Sequence, residues 1–448
     1  MARIAPFRGL TYNYHLRQDF EKMVAPPYDV ISESEQETYY REDPYNVIRL
    51  ILARKKPGDS DWDNRYTRAA DCFKRWESSG ILLRQDRPAI YLTSLTYDPG
   101  NGDPERTRWG VIALVRIEDE TSGVILPHEK TFSGHKDDRL KLMRACSAQL
   151  SQIFALYEDP EDTLLSACRK AADFPPEVAF DFKDGTRHRM WILQNPRLFK
   201  RAAEAMEDKS ILIADGHHRY ETARNFRNVM RARYGRRPAS RPYEYVMMYL
   251  SNMNDEGLTI LPTHRLVREV PGFRCGEFLD KLKRWFDIRK IPLRDDNGGS
   301  GLKHNLAEAG RGNTAIGFYA GDTDAYHLLV LRQDARKEIG DDLHPSLKKL
   351  DVLVLSRFAL QRGLGFTLED LDRDDTIQYH SSIKTALSRV RSGECRMAFL
   401  LNPTPIDRVK EVARNGLVMP RKSTFFYPKI LSGLVFNKIN PHETIQIP

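Results

Sequence analysis

Short apolar runs alternate with amphipathic stretches along most of the chain, and this pattern predicts a mixed α/β fold. The apolar run 211–214 contains two Ile residues and predicts a buried core strand. The order strand, helix, strand over 187–193, 196–206 and 211–214 is a βαβ-like pattern, typical of mixed α/β architecture. Helical spacing follows, with Gly235 as its stop and an apolar stripe formed by Ala223, Phe226, Met230 and Tyr234.

The same patterns predict the remaining elements. Apolar or alternating runs predict strands over 46–52, 89–97, 109–117, 123–127, 243–251, 257–265, 314–320, 325–331 and 396–401. Amphipathic spacing and helix-start signals predict helices over 62–80 and 278–286, near 137–140, after the capping-box pair Ser32 and Glu35, and from Ile406. We expect 89–97 with 109–117, and 314–320 with 325–331, to form hairpins.

Proline-containing breaks divide the chain into three predicted parts. A Phe-Pro-Pro sequence at 174–176 is typical of a linker, and the pattern changes again from Pro271. We therefore predict an N-terminal α/β part of the catalytic region over 1–165 and a central segment over 166–270. A smaller C-terminal α+β domain is predicted over 271–448.

Composition narrows the class of protein and its partners. Hydrophobic residues make up 41% of the 448 residues and charged residues 29%, as in globular proteins. The absence of an apolar run of about 18 residues and of a secretory segment predicts a cytoplasmic protein with no membrane partner. Five scattered cysteines predict reduced structural thiols. A net charge of +8 favours anionic partners such as nucleotides, phosphates or nucleic acid, and oligomeric state is left open.

A dense polar corner follows the 211–214 run. Asp215 and Gly216 are followed by His217, His218 and Arg219 at a predicted helix start. Glycine permits a tight turn with no side chain between backbone and ligand. The N-terminus of a helix binds anions such as phosphate, so the corner predicts a phosphate site.

Two further polar groups follow predicted strands. His128 and Glu129 come after 123–127, and His264 with Arg265 ends the predicted strand 257–265. Glu129 is a candidate catalytic residue, and an ordinary ion pair with Arg139 is the alternative.

A polar group also lies near the end of the chain. Lys422 and Ser423 are residue types that hold phosphate, but no glycine-rich loop precedes them, so they are not a Walker motif. A docking tail is the alternative interpretation of this segment.

The chain resembles the bacterial and archaeal family known only as domain of unknown function ten-fifteen. The resemblance is carried by motifs spread over nearly the whole sequence: Ala-Pro-Pro-Tyr-Asp-Val at 25–30, His-Glu-Lys-Thr at 128–131 with Asp-Arg-Leu at 138–140, Ala-Asp-Gly-His-His-Arg-Tyr-Glu-Thr-Ala at 214–223, Leu-Pro-Thr-His-Arg at 261–265, Lys-Ser-Thr at 422–424 and Tyr-Pro-Lys at 427–429. This family implies no particular reaction.

A narrower resemblance carries more chemistry. The Asp-Gly-His-His-Arg sequence at 215–219 is similar to the phosphate-binding corner of the ParB and sulfiredoxin superfamily, which includes free-serine kinases. This resemblance implies a ParB/sulfiredoxin-like nucleotide-binding core. Sulfiredoxin carries its reactive cysteine where His217 stands, which argues against sulfinic-acid repair.

The leading hypothesis is therefore a nucleotide-dependent kinase that acts on a small hydroxylated metabolite, serine-like in chemistry. ATP or ADP is the expected cofactor, together with Mg²⁺. The residues expected to bind the nucleotide are Gly216, His217, His218, Arg219, Arg139, His264, Arg265, Lys422 and Ser423. The expected catalytic residues are Asp215, Glu129 and His128, with Asp215 and Glu129 also as Mg²⁺ ligands.

Two alternatives belong to other classes. A ParB-like nucleotide switch would bind nucleic acid through the arginine-rich helix that contains Arg227 and Arg231, although arginine runs are commonly solvated faces. A metal-dependent hydrolase would use His128, Glu129, His217 and His218. Adjacent histidines on a helix point in diverging directions, which disfavours a shared metal at His217 and His218.

Overall fold

The computed structural model describes residues 1–15, 19–100, 103–129, 133–292, 299–373 and 375–448, without the side chains of residues 120 and 133–135. Lys130 and Thr131, the second half of the His-Glu-Lys-Thr motif, lie outside the described residues.

Strands and helices are interspersed along the whole chain. The strands are β1 Ile4–Ala5, β2 Leu10–Tyr12, β3 Leu82–Arg84, β4 Ile90–Tyr97, β5 Arg106–Arg116, β6 Ile125–Leu126, β7 Ala148–Gln149, β8 Ile153–Tyr157, β9 Val178–Asp181, β10 Arg187–Leu193, β11 Ile211–Asp215, β12 Tyr245–Asn252, β13 Thr259–Leu261, β14 His264–Val267, β15 Phe286–Pro292, β16 Ala315–Ala320, β17 Ala325–Leu331, β18 Ile377–His380, β19 Met397–Leu401, β20 Phe425–Tyr427 and β21 Asn437–Lys438. The α-helices are α1 Glu33–Glu42, α2 Ile48–Ile51, α3 Arg65–Ser78, α4 Ser133–Cys146, α5 Thr163–Ala171, α6 Pro196–Met206, α7 His217–Tyr234, α8 Cys275–Leu282, α9 Ser300–Ala309, α10 Pro345–Lys348, α11 Asp351–Val354, α12 Leu368–Asp372, α13 Ile383–Arg391 and α14 Ile406–Arg414, and a π-helix spans Leu355–Gly363.

The chain divides into two compact units. Unit 1 comprises Met1–Pro127, Thr131–Thr259 and Pro428–Pro448, and unit 2 comprises His128–Lys130 and Ile260–Tyr427. The predicted parts 1–165 and 166–270 both contribute strands to the large sheet of unit 1. The predicted three-part division of the chain into domains stays a prediction.

Unit 1 is built on a mixed sheet whose described strands run in the order β6-β11-β8-β12-β5-β4-β10-β9, with β1 also paired to β5. Strands β4 and β5 form the predicted antiparallel hairpin. Strand β11 pairs parallel with β6 and antiparallel with β8. Apolar side chains of this sheet pack with α5 and α6 in one buried cluster, because these helices present apolar faces that must be removed from water.

Unit 2 contains an antiparallel sheet in the order β15-β17-β16-β19-β14-β18. Strands β16 and β17 form the second predicted hairpin. Apolar residues of α9 and α13, including Leu302 and Leu387, pack on this sheet. Each unit therefore combines sheet and helix, and the mixed α+β class predicted from the sequence is confirmed.

Local signals predicted the capped helices well. The helix expected over 62–80 is α3, Arg65–Ser78, and the Asn64 side chain accepts hydrogen bonds from the backbone of its first turn. The helix predicted over 196–206 is α6, which has the same first and last residues. Capping residues fix these ends because they satisfy backbone N–H groups that have no partner within the helix.

Three sequence predictions differ from the structure. Residues 46–52, predicted as a strand, contain the helix α2; short apolar runs suit a buried helix as well as a strand. The Asn46 side chain favours the helix by accepting a hydrogen bond from the Ile48 amide at 2.8 Å. The predicted helix 278–286 ends at Leu282, and 257–265 forms two strands instead of one.

None of the helices in the described part of the chain is long and apolar enough to span a membrane.

Candidate functional site

The polar corner lies where β11 meets α7. Gly216 adopts a left-handed conformation with φ of 97° between Asp215, the last residue of β11, and His217, the first of α7. A Cβ atom at Gly216 would come within 2.7 Å of Arg219 Nε. The left-handed backbone conformation therefore favours glycine, and any larger residue would also have to displace the Arg219 guanidinium.

The carboxylate of Asp215 is held between two cations. Arg219 donates to Asp215 Oδ2 at 2.6 Å, and Lys429 donates to Asp215 Oδ1 at 2.5 Å. Burial alone would raise the pKa of Asp215, but the charges of Lys429 and Arg219 outweigh it and hold this pKa below its usual range. Asp215 is therefore a stable anion that fixes both cations in place.

Arg219 connects the start of α7 to the neighbouring strand. Besides Asp215, its guanidinium donates to the backbone carbonyl of Gln152, directly before β8. His217 lies next to this group in the first turn and is buried, whereas His218 is half-buried. The corner is thus a rigid, positively charged helix start instead of a loose loop.

Arg139 belongs to a second cationic cluster of unit 1. It donates to Asp138 Oδ2 from Nε at 2.7 Å and to the Ile51 carbonyl at 2.7 Å, and its guanidinium lies 3.9 Å from the centre of the Tyr28 ring. Arg65 also pairs with Asp138. The Pro-Pro-Tyr and Asp-Arg motifs therefore meet at one point of the fold.

Two arginines of α7 are engaged inside unit 1. Arg227 donates to the Ile117 carbonyl at 2.7 Å and to Asp119 at 3.1 Å. Arg231 forms a bidentate pair with Glu244, with Nε to Oε1 at 2.7 Å. These bonds give both arginines a structural role in holding α7, so neither is a simple solvent-facing contact for nucleic acid.

In unit 2, His128 and Glu129 run beside the segment 419–426. His128 is fully buried, with Nε2 at 3.2 Å from Thr424 Oγ1, and its carbonyl accepts from the Met419 amide at 2.9 Å. Glu129 forms a bridge with Met419. This pairing ties the His-Glu motif to the segment that contains the Lys-Ser-Thr motif.

His264 and Arg265 support the backbone of unit 2. Arg265 Nη2 donates to the Lys422 carbonyl at 3.1 Å, and burial lowers its pKa to about 10. His264 Nδ1 accepts from the Leu401 amide at 3.1 Å, and burial lowers its pKa to about 3, so the ring is neutral. The Arg265 bond suits positioning of the Lys-Ser-Thr segment, in which Ser423 donates to the Pro420 carbonyl.

The predicted site residues are thus divided between the units. The corner residues 215–219 and Arg139 belong to unit 1, and the other predicted residues, His128, Glu129, His264, Arg265, Lys422 and Ser423, belong to unit 2. Lys429 was missing from the predicted site although it bonds to Asp215. Its only sequence signal was the Tyr-Pro-Lys motif at 427–429.

The Asp215 carboxylate does not suit a metal ion in this arrangement. Both of its oxygens accept hydrogen bonds from cations, which a Mg²⁺ ion would have to displace. Within the described residues, no group of three or more His, Cys, Asp or Glu has the arrangement of a metal site. Mg²⁺ binding by Asp215 and Glu129 stays a prediction.

Solved structures with a distant likeness to this chain include enzymes with bound nucleotide. A free serine kinase in complex with AMP is 12% identical at a TM-score of 0.32, covering 70% of this chain and 86% of that chain. A mutant free serine kinase in complex with ADP is 10% identical at a TM-score of 0.35, covering 73% and 91%. A conserved hypothetical protein from Pyrococcus furiosus is 10% identical at a TM-score of 0.33, covering 71% and 92%.

No curated protein sequence matches the chain. A family model does match, over residues 4–353, and its description is "Protein of unknown function (DUF1015)". This match spans well over half of the chain and includes the motifs between residues 25 and 265 that carry the resemblance. The protein therefore belongs to the DUF1015 family.

Proposed function

We propose that the protein is a nucleotide-dependent phosphotransferase that acts on a small hydroxylated metabolite, with ATP or ADP as donor. The observation that carries this proposal is the group of Arg219, Asp215 and Lys429 at the start of α7. Two cations contact one carboxylate beside the N-terminus of an 18-residue helix. A fixed cation beside the positive end of a helix dipole suits a phosphate.

The proposed reaction transfers one phosphoryl group. The acceptor hydroxyl oxygen forms a new bond to the terminal phosphorus, and the bond from that phosphorus to the bridging oxygen of the nucleotide breaks. The hydroxyl proton passes to a base, and the shortened nucleotide leaves with the bridging oxygen. Catalysis of such transfers rests mainly on positioning and charge neutralisation, which the corner is suited to supply.

The chain's own residues take distinct roles in this proposal. Lys429 and the first backbone N–H groups of α7 bind the phosphates, and Arg219 holds the helix start against the strand before it. Asp215 is a poor proton acceptor because its pKa is held low, so it acts as the anchor of Lys429 and Arg219. In unit 2, Glu129 and His128 stay the predicted catalytic residues, and His264, Arg265, Lys422 and Ser423 stay the predicted nucleotide-binding residues.

The corner's sequence also supports a ParB/sulfiredoxin-like nucleotide-binding core within unit 1. In the Asp-Gly-His-His-Arg sequence, Gly216 has the left-handed backbone conformation and the Arg219 side chain lies next to it. Glycine gives such a turn a backbone without a Cβ atom of its own at this position.

Replacing Lys429 tests the proposal. We expect Lys429→Met to weaken ATP and ADP binding roughly 10- to 100-fold, because one charge-assisted hydrogen bond to phosphate is lost. Isothermal titration calorimetry at neutral pH measures this effect. Lys438→Met is the matched control, since Lys438 pairs with Glu77 at 2.8 Å and lies outside the corner.

Thermal unfolding of both variants separates binding from folding. A folded Lys429→Met protein with unchanged affinity for both nucleotides would show that the corner is not a phosphate site. Equal losses in Lys429→Met and Lys438→Met would count against the proposal in the same way.

A further inference from the structure

A small cavity lies beside the corner, inside unit 1. It has a volume of about 50 Å³ and is lined by Arg219 and Thr222 of α7 and by Arg139, among others. Apolar walls close it on several sides, including Ile51, Leu142, Ile153 and Val246. At about 10–15 Å³ per water molecule it has room for roughly four waters, so a nucleoside does not fit, but the carboxylate end of a small metabolite does.

Among the described residues that line this cavity, the charged ones are Arg139 and Arg219. Arg139 shares Asp138 with Arg65, and Arg219 shares Asp215 with Lys429, so each cluster has two positive charges and one negative charge. Among the described residues that line the cavity, none is Asp or Glu. The walls thus provide an excess of positive charge that suits an anion.

Thr222 supplies an unsatisfied hydroxyl at the same place. The residue is fully buried, and its Oγ1 atom has no hydrogen-bond partner within the described part of the chain. A buried polar atom without a partner is uncommon and costs free energy unless a ligand or water satisfies it. Tyr28 also lines the cavity, and burial raises the pKa of its hydroxyl, which therefore stays protonated.

We propose that this cavity binds the carboxylate end of a small hydroxy acid, which is the acceptor in the proposed phosphotransfer. This inference rests on the proposed function for the role of the acid, while binding of the acid itself is independent of it. The arginines supply the charge, Thr222 supplies a hydrogen-bonding hydroxyl, and the apolar walls contact the short carbon chain.

The same lining distinguishes a hydroxy acid from an amino acid. The ammonium group of serine needs an anionic or well-placed acceptor partner when it leaves water. The two arginines repel that ammonium, and the described lining offers no carboxylate to pair with it. The cavity therefore favours a hydroxy acid over the serine-like acceptor that the corner's sequence suggests.

Three probes with the same three-carbon skeleton test this inference: glycerate, glycerol and serine. Calorimetry on the full chain without nucleotide is expected to show glycerate binding at least roughly 10-fold more tightly than serine, and no binding of glycerol. Binding of glycerol as tightly as glycerate, equal binding of serine and glycerate, or no binding of any probe would each overturn it.

Thr222→Val locates the binding. The substitution keeps the shape of the side chain and is expected to weaken glycerate binding roughly 3- to 10-fold, the range for one lost hydrogen bond. Thr93→Val is the matched control, since Thr93 is buried on β4 and is not part of the lining. Glycerate affinity that Thr222→Val leaves unchanged would overturn the assignment to this cavity.

The two proposals fail separately. Glycerate binding that is lost in Thr222→Val, together with no nucleotide affinity, would remove the phosphotransferase and leave a small-acid site. Nucleotide binding that depends on Lys429, with no glycerate binding, would remove the acceptor site and leave the phosphate corner.

Discussion

The surroundings of Asp215 make this residue poorly suited to acid–base chemistry. Its carboxylate lies between Arg219 and Lys429, and these charges hold its pKa low. A general base works best when its pKa is near the working pH, so this carboxylate is better suited to hold cations than to accept a proton. The sequence predicts Asp215 as a catalytic residue and Mg²⁺ ligand, and its contacts with Arg219 and Lys429 favour a role as their anchor instead.

The pKa of Asp351 is raised, whereas the pKa of Asp215 is lowered. It begins α11 in unit 2, and burial raises its pKa to about 6 from 3.8. Between about pH 4 and pH 6 this carboxyl is ionised in the unfolded chain but still largely protonated in the folded chain. The free energy of unfolding therefore falls as the pH rises through this range. Above that pH the full cost is present, on the order of 2–3 kcal/mol.

We expect Asp351→Asn to raise the thermal unfolding midpoint by a few degrees at pH 7.5 and to leave it nearly unchanged at pH 4, because the neutral amide removes the ionisation cost. Asp407→Asn, at a highly exposed side chain, is the control. A variant that is less stable than the wild type at pH 7.5 would show that the Asp351 carboxylate stabilises the fold.

At the scale of elements, α7 serves two purposes. Its first turn forms the polar corner, and further along it Arg227 and Arg231 bind neighbouring parts of unit 1. An arginine run on a predicted helix indicates a solvated face or a nucleic-acid surface, but the sequence does not show which arginines turn inward. Only the packing of α7 distinguishes the buried Arg227 from the exposed Arg233.

We expect Arg227→Ala to lower the free energy of unfolding by about 2 kcal/mol, because the Ile117 carbonyl and the packed side-chain stem lose their partners. Arg233→Ala, at an exposed position of the same helix, should change it by less than about 0.5 kcal/mol. Chemical denaturation measures the free energy of unfolding of both variants. Equal stability of the two variants, with loss of nucleic-acid binding in Arg227→Ala, would favour the nucleic-acid switch instead.

Elements with local signals were predictable, and elements decided by distant contacts were not. Helices α3 and α6 have side-chain caps at their first turns, and β4 and β5 pair across a short connection. The helix α2 was missed because the Asn46 side chain also bonds to the carbonyls of Lys22 and Val24, far away in sequence. Such contacts leave no periodic pattern in the residues themselves.

At the scale of the whole molecule, the mixed class was predictable because strand and helix patterns alternate throughout, but the composition of each unit was not. Unit 1 takes up the last 21 residues, Pro428–Pro448, where Glu443 pairs with Arg84 at 2.5 Å across 359 positions of the chain. Lys429 was absent from the predicted site for the same reason, since 214 positions separate it from Asp215. One of the two cations that contact Asp215 therefore lies in 271–448, which was predicted to be a separate domain.

The central claim, phosphoryl transfer from a nucleotide to a small hydroxylated acceptor, is tested most directly by following the phosphoryl group itself. The wild type is incubated with Mg²⁺ and either ATP labelled in the γ-phosphate or ADP labelled in the β-phosphate, with glycerate and serine as separate acceptors. We predict that label moves to an acceptor in the wild type and in Lys438→Met, with a loss of at least roughly 10-fold in Lys429→Met. Folded wild-type protein that transfers no label from either nucleotide to either acceptor would contradict the account.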